Sequence, residues 1–154
     1  MNAAAYLIPA IQGPFKARIT LPGSKSIALR QLAIAALTQG TTTIHGIPPC
    51  DDTDAMLDCL RELGAKISTA NGAVRVVGPM DFKSDVTLNA RMSGASTRLL
   101  LGLAALREGS TTIDGHSSLR ARTNAPLLQV LVQHGCRVEA VDGCLPVTLQ
   151  GPIN

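Results

Sequence analysis

The sequence predicts an α/β fold of the α+β kind, built from repeated β-α-β-α-β-β subdomains with helices inside and sheets outside. Three observations predict it. The chain contains a copy of itself, Ala/Leu runs of helical period alternate with short β-branched runs, and turn residues recur at matching offsets. Leu32 to Gly46 reads LAIAALTQGTTTIHG and Leu101 to Gly115 reads LGLAALREGSTTIDG, with nine of fifteen paired positions identical and no gap. The echo continues through Leu60 to Ile67 and Leu131 to Val138, then Asn71-Gly72 and Asp142-Gly143, then Gly78-Pro79 and Gly151-Pro152. A period near seventy residues is too long for a solenoid unit and matches a small supersecondary subdomain.

Each element has its own signal. Lys16 to Leu21 reads as a strand leading into the first unit. A helix follows over about Ser24 to Thr38, with apolar residues at helical spacing and Gly40 placed to stop it. Thr41 to Ile44 is β-branched and reads as a strand. Asp51 or Asp52 can cap a second helix, Thr53 to Leu63, which Gly64 ends. Lys66 to Thr69 and Ala73 to Val77 then flank Asn71-Gly72, a hairpin turn. In the second unit Val86 to Asn89 is the lead-in strand, and Ala95 to Arg107 the first helix. Thr111 to Ile113 is the strand, and Ala125 to His134 the second helix before a hairpin around Asp142-Gly143. The first helix of each unit is apolar nearly all round, which places helices inside. The expected divisions are 1–14 as an N-terminal segment, 15–79 as the first unit and 80–154 as the second.

Composition narrows the function classes. Of 154 residues, 45 % are apolar and 16 % charged, which suits a packed core. The net charge is +3 without a Lys/Arg-rich run, and the aromatics are Tyr6, Phe15 and Phe82 alone. Nucleic-acid binding has neither clustered charge nor stacking platforms to support it. Cys50, Cys59, Cys136 and Cys144 form no Cys-x-x-Cys pair, so no zinc or redox site is expected. His45, His116 and His134 have no metal-ligand spacing, and no cofactor is expected. The N-terminus has no secretory pattern and no apolar run approaches a membrane span. A reducing cytoplasmic setting follows, with the cysteines as buried thiols.

Three segments suit anions. In LPGSKSIALR a strand ends, a Pro-Gly turn follows, and a helix starts with Lys25 and Ser26 in its first turn. Arg30 follows one turn later on the same face as Ser26. Helix N-terminal N–H groups attract anions, and these side chains add an ammonium, a hydroxyl and a guanidinium. The segment is not a P-loop, because Ser24 separates the glycine from the lysine. On spacing alone, a capped helix with solvated Lys and Arg is the commoner outcome. The second segment, Met92 to Arg98, sets Gly94 and Arg98 at the start of another apolar helix. The third, Ser117 to Arg122, is a loop with Arg120 and Arg122. Either alone reads as an N-cap or a solvated loop. Three such segments in one short repeat structure are harder to assign to chance.

Together they carry a family resemblance. LPGSKS with Arg30 resembles the substrate-binding signature of EPSP synthases. Cys50-Asp51-Asp52 with Met56-Leu57 resembles their Ser-Asp-Asp segment and following helix. Ser93-Gly94 through Arg98-Leu99 resembles their Asn-Ala-Gly-Thr-Ala-Met-Arg-Pro motif, and Ser118 to Arg122 their Arg-Met-Lys-Glu-Arg-Pro loop. The resemblance runs in order along nearly the whole chain and covers about the first third of a typical member. Ala28-Leu29, Met92, Ala95, Leu99 and Thr123 depart from the family pattern.

The resemblance implies transfer of the enolpyruvyl group from phosphoenolpyruvate to shikimate 3-phosphate, in aromatic amino acid biosynthesis. It implies that Lys25, Ser26 and Arg30 bind shikimate 3-phosphate. Lys25, Gly94 and Arg122 would bind phosphoenolpyruvate, with Arg98 in support. It also implies the enolpyruvyl transferase inside-out barrel, with the N-terminal segment near a domain crossover. The acid–base residues would then lie beyond Asn154, so no complete catalytic set is expected in this chain. The remainder of the enzyme would be its partner, and residues 1–154 alone would be inactive. Three alternatives stand beside this reading. One is a UDP-aminosugar enolpyruvyl transferase, against which Lys25-Ser26 and the lack of a Cys in His116 to Thr123 both speak. Another is a non-catalytic anion-binding repeat domain. The third, an RNA-end-processing enzyme, is disfavoured by the aromatic scarcity.

Overall fold

The computed structural model describes residues 7–154. Residues 1–6 of the expected N-terminal segment lie outside the described residues. The chain forms α1 (Lys25–Leu37), β1 (Gly40–His45), α2 (Asp51–Leu63), β2 (Lys66–Ala70) and β3 (Ala73–Gly78). The order then repeats as β4 (Val86–Asn89), α3 (Gly94–Ala104), β5 (Gly109–Asp114), α4 (Ser117–Arg120), α5 (Ala125–Gln133), β6 (Arg137–Glu139) and β7 (Val147–Gly151).

The repeat is visible in backbone geometry. Gly40 and Gly109 open the strands after α1 and α3 with φ of +95° and +93°. Gly64 and Gly135 follow α2 and α5 at +113° and +95°. Such left-handed positions end helices cheaply only at glycine. The hairpin turn Asn71-Gly72 has positive φ at both residues, as the two-residue turn between β2 and β3 requires. Asp142-Gly143 repeats this backbone, but within a longer connection. There Gly143 accepts from the Asn124 N–H at 2.7 Å, pinning the loop to the start of α5.

The first sheet has the order β1-β3-β2, all antiparallel. The second has the order β4-β5-β7-β6, with β4 parallel to β5. Strands bury alternate residues, such as Val74 and Val76 on β3 and Leu149 and Val147 on β7, against the helices. Helices α1, α2 and α3 pack on one another, and α2 also lies on β4. One apolar cluster runs through both halves, from Leu29, Leu32 and Leu60 to Leu88, Leu100 and Ile113. Helices inside and sheets outside is therefore the observed arrangement.

Two expectations need correction. Lys16 to Leu21 is not a strand: it has no regular structure, and Ile19 and Leu21 are 77 % and 80 % exposed. The equivalent β4 has β5 on one side and α2 across it, whereas 16–21 pairs with no strand among the described residues. Edge hydrogen bonds alone do not clearly exceed the entropy of ordering a segment. Ser117 to Arg120, read as loop, forms one helical turn. The His116 ring nitrogen accepts from the Ser118 N–H at 3.2 Å and caps it. A single turn is too short to leave a periodic pattern. Helix α1 is also less enclosed than its composition suggests, since Ile27 and Ile34 are exposed. Of the cysteines, Cys59 and Cys136 are buried, while Cys50 and Cys144 are half-buried.

Candidate functional site

Three helix N-termini converge on one carboxylate. Ser24 caps α1, its hydroxyl accepting from the Ile27 N–H. This sets Lys25 in the first turn, and Lys25 Nζ donates to Asp52 Oδ2 at 2.7 Å. Asp52 stands in the first turn of α2, which Thr53 closes by accepting from the Cys50 N–H and donating to the Pro48 carbonyl. Asp52 also meets α3. Its backbone carbonyl accepts from Ser96 Oγ at 3.3 Å, and nearby Ser93 helps to lower its carboxyl pKa. Ser93 and Ser96 are buried and bonded to each other, and Ser93 caps α3.

The electrostatics follow from this geometry. Burial pushes the Asp52 carboxyl upward, but the hydrogen bond from Lys25, nearby Ser93 and the lysine charge outweigh it. The result lies below the ordinary carboxylate range. The hydrogen bond to Asp52 and its charge raise the Lys25 ammonium above its ordinary value. Arg91, in the turn before α3, reaches back to Asp51 and Asp58 at 2.8 and 2.7 Å and ties the second half to α2. Asp51, Asp52 and Asp54 crowd the first turn of α2, where the helix dipole favours them.

The second cluster lies at the start of α3. A Cβ built on Gly94 would stand 3.6 Å from Arg122 Nη1, 3.9 Å from Arg98 Nη1 and 3.7 Å from Leu119 Cδ1. Two guanidinium groups therefore share the space before a helix N-terminus. Among the described residues neither has a carboxylate partner. Arg120 is different. It grips Asp114 with two nitrogens, which holds that carboxyl below its ordinary range. The α4 turn thus fixes one loop arginine against β5 and leaves the other free. Buried Leu119 beneath Gly94 and Gly115 anchors the turn.

Lys25, Gly94, Arg98 and Arg122 are brought to one end of the helix layer by these contacts. Ser26 and Arg30 lie along the exposed side of α1, where Arg30 Nη1 donates to the Ser26 carbonyl at 2.7 Å. No contact links Arg30 to the α3 cluster. Two functional groups escaped sequence reasoning. Asp52 and Ser96 fall inside the segments that resemble family motifs, but sequence reasoning gives neither a role in the site. Their link to Lys25 spans residues far apart in sequence.

The sequence profile of EPSP synthase (3-phosphoshikimate 1-carboxyvinyltransferase) matches residues 9–153. The chain belongs to the EPSP synthase family. It is 35 % identical over 144 residues to the 3-phosphoshikimate 1-carboxyvinyltransferase of Caldicellulosiruptor saccharolyticus, covering 90 % of this chain and 33 % of that protein. The Deinococcus radiodurans enzyme of that name is 38 % identical over 133 residues, covering 84 % of this chain and 30 % of its own length. The chain spans about a third of the curated relatives it matches. Among solved structures, an EPSP synthase from Acinetobacter baumannii superimposes with a TM-score of 0.81 at 28 % identity, over 91 % of this chain and 33 % of that one. The enolpyruvyl transferase NikO from Streptomyces tendae gives 0.61 at 20 % identity, a likeness of fold. Among the described residues, no helix is long and apolar enough to cross a membrane.

Proposed function

We propose that this EPSP synthase family chain supplies one side of a substrate site that transfers the enolpyruvyl group of phosphoenolpyruvate to shikimate 3-phosphate, in the cytoplasm. The observation that carries this reading is the pair of unpartnered guanidinium groups, Arg98 and Arg122, facing Gly94 at the α3 N-terminus. Unpaired arginines beside free helix N–H groups suit a compact, multiply charged anion. Gly94 and Arg122 take phosphoenolpyruvate, with Arg98 in support. Lys25, Ser26 and Arg30 take the phosphate of shikimate 3-phosphate. Lys25 is held by Asp52 between the two positions, so it exchanges part of that ion pair for substrate.

The chemistry is addition followed by elimination. The substrate hydroxyl gives up its proton and attacks C2 of phosphoenolpyruvate while the methylene carbon gains a proton. The tetrahedral adduct then loses phosphate together with a proton from that methyl, which restores the carbon–carbon double bond. The cations of this chain orient the two anions and stabilise developing charge. Proton transfer and exclusion of water require groups from the remainder of the enzyme. The proposed divisions are 15–79 and 80–154 as two subdomains, with 1–14 near the crossover to that remainder.

The test is an NMR titration of the chain with shikimate 3-phosphate, phosphoenolpyruvate, a UDP-aminosugar and a short RNA. Shifts at Lys25, Ser26 and Arg30 with the first ligand, weakened by salt, support the reading. Preferential binding of the aminosugar or RNA, or unchanged binding by the Lys25→Ala, Arg30→Ala double variant, overturns it.

A further inference from the structure

The α4 turn is capped by a side chain that can change its charge. His116 Nδ1 accepts from the Ser118 N–H at 3.2 Å and lies 2.9 Å from Ser118 Oγ. An amide N–H can only donate, so this Nδ1 carries no proton and the ring is neutral, with its hydrogen on Nε2. The Ser118 hydroxyl then donates to the same nitrogen. Protonation turns Nδ1 into a donor. It keeps the hydroxyl by reversing that bond, and it loses the amide. The ring is exposed, so protons reach it from solvent.

The turn leans on this cap. It is four residues long, and an isolated helical turn is marginal. It also sets Arg122. The His116 carbonyl accepts from the Leu119 and Arg120 N–H groups at 2.8 and 3.1 Å, and the Leu119 carbonyl accepts from the Arg122 N–H at 3.0 Å. Leu119 is buried beneath Gly94, and Arg122 Nη1 stands 3.6 Å from a Cβ built there. The charged groups on the elements that meet the turn are mostly cations. Arg91, before α3, lines one groove with His116 and is held by Asp51 and Asp58 of α2. Arg120 is held by Asp114 of β5, and Arg98 of α3 stands beside Gly94. From β4 only the neutral Asn89 reaches the groove.

We propose that His116 is a positioning residue for Arg122: its neutral ring caps α4 and so holds the guanidinium before Gly94, and protonation of the ring releases it. This rests on the reading of Arg122 as a ligand of phosphoenolpyruvate. Imidazoles change charge between about pH 5 and pH 8, so the capped turn is present at the upper end of that range and is lost as pH falls through it. A histidine that acted only as one more cation near the anion would do the opposite, tightening binding as it gained its proton.

The test compares the unaltered chain with His116→Asn, which caps at every pH, and His116→Ala, which caps at none. Without ligand, the Cα secondary shifts of Ser117 to Arg120 should lose helical character in the unaltered chain with the midpoint of the His116 ring. They should stay helical in His116→Asn and be weak throughout in His116→Ala, while protected β2 and β3 amides report an intact fold in all three. Calorimetric titration then gives the phosphoenolpyruvate affinity of the unaltered chain relative to His116→Asn, a ratio from which the titration of the ligand's own phosphate cancels. That ratio should fall about threefold between about pH 8 and about pH 5.5, on the order of a lost helix cap. A ratio that is flat or rises as pH falls overturns the proposal, as do helical shifts that ignore the ring. If phosphoenolpyruvate binds none of the three proteins at any pH, the functional reading of Arg122 fails, and the ligand-free shifts alone decide whether His116 holds the turn.

Discussion

In the second half of the molecule the lead-in to the first helix is a strand held on two sides, by β5 and by α2, with Leu88 fully buried. In the first half the equivalent residues lie free of regular structure, and Ile19 is 77 % exposed. The sequences of these segments are similar in kind: both place a large aliphatic residue, Ile19 or Leu88, five residues before a capping serine. What differs is the neighbour. The α2 helix of the first half lies on β4 of the second, whereas 16–21 pairs with no strand among the described residues. A repeat at the edge of an array therefore shows what each unit obtains from its own residues and what it obtains from the next.

The two halves also hold the cations proposed to bind anions differently. Lys25 enters the site already neutralised by Asp52, whereas Arg98 and Arg122 stand without a carboxylate. The first arrangement orients the ammonium and lowers its appetite for a second anion. The second leaves a local positive field that a ligand must satisfy.

The sharpest way to break the comparison is a matched pair of truncations. Leu88→Ala should cost about 2–5 kcal/mol, as for other fully buried leucines. Ile19→Ala should cost no more than about 1 kcal/mol, because its side chain is mostly in water. Urea denaturation midpoints report both, and equal losses would show that the halves are held alike.

Ligand affinity gives the next effect. Arg122→Ala should weaken phosphoenolpyruvate binding by about tenfold or more, since charged hydrogen bonds are worth about 1.5–3 kcal/mol. Arg120→Ala should do less, because that guanidinium is occupied by Asp114. Calorimetric titration of both variants decides; a larger loss from Arg120 would reverse the assignment of the two loop arginines.

Gly94→Ala separates space from stability. Its methyl would meet ordinary contacts, with Arg122 Nη1 at 3.6 Å and Arg98 Nη1 at 3.9 Å, so the unfolding midpoint should stay within about 0.5 kcal/mol of the parent. The methyl would nevertheless occupy the place where an anion meets both arginines, and phosphoenolpyruvate affinity should fall severalfold. Unchanged affinity would place the anion elsewhere.

The carboxylates predict a smaller effect with a definite sign. Asp52 and Asp114 both have folded pKa values below the unfolded value of about 3.9. Their contributions to stability are therefore fully present above that pH and are lost as pH falls through their folded values. Carboxyl carbon NMR should show both titrating below the ordinary aspartate value of about 3.9. An ordinary midpoint for Asp52 would mean that the Lys25 contact does not persist in solution. Finally, Cys59, whose thiol burial pushes up to about 12, should react with a thiol reagent more slowly than half-buried Cys50 and Cys144.

Much of this was legible beforehand. Glycines at 40, 64, 109 and 135 and the Asn71-Gly72 turn act through their own φ angles, so helix ends and the first hairpin could be read locally. The segments around Lys25, Gly94 and Arg122 were likewise marked by helix starts and charge. Strand status at 16–21 was not readable, because β propensity reports only willingness to pair. Nor could Arg120 be told from Arg122: two positions apart in a loop, they were sorted by the α4 turn and by Asp114 across the sheet edge.

Asp52 marks the division most clearly. By itself the sequence offered Asp51 or Asp52 as the cap of a helix from Thr53; the helix instead begins at Asp51 with Cys50 as its cap, which sets Asp52 in the first turn, where the helix dipole favours a carboxylate. Only the tertiary structure decided that this carboxylate would take the Lys25 ammonium as its partner, and that the backbone carbonyl of the same residue would take Ser96. The physical reason is range. Caps, turns and periodicity act within about four residues along the chain, while ion pairs act through space and depend on how α1, α2 and α3 pack.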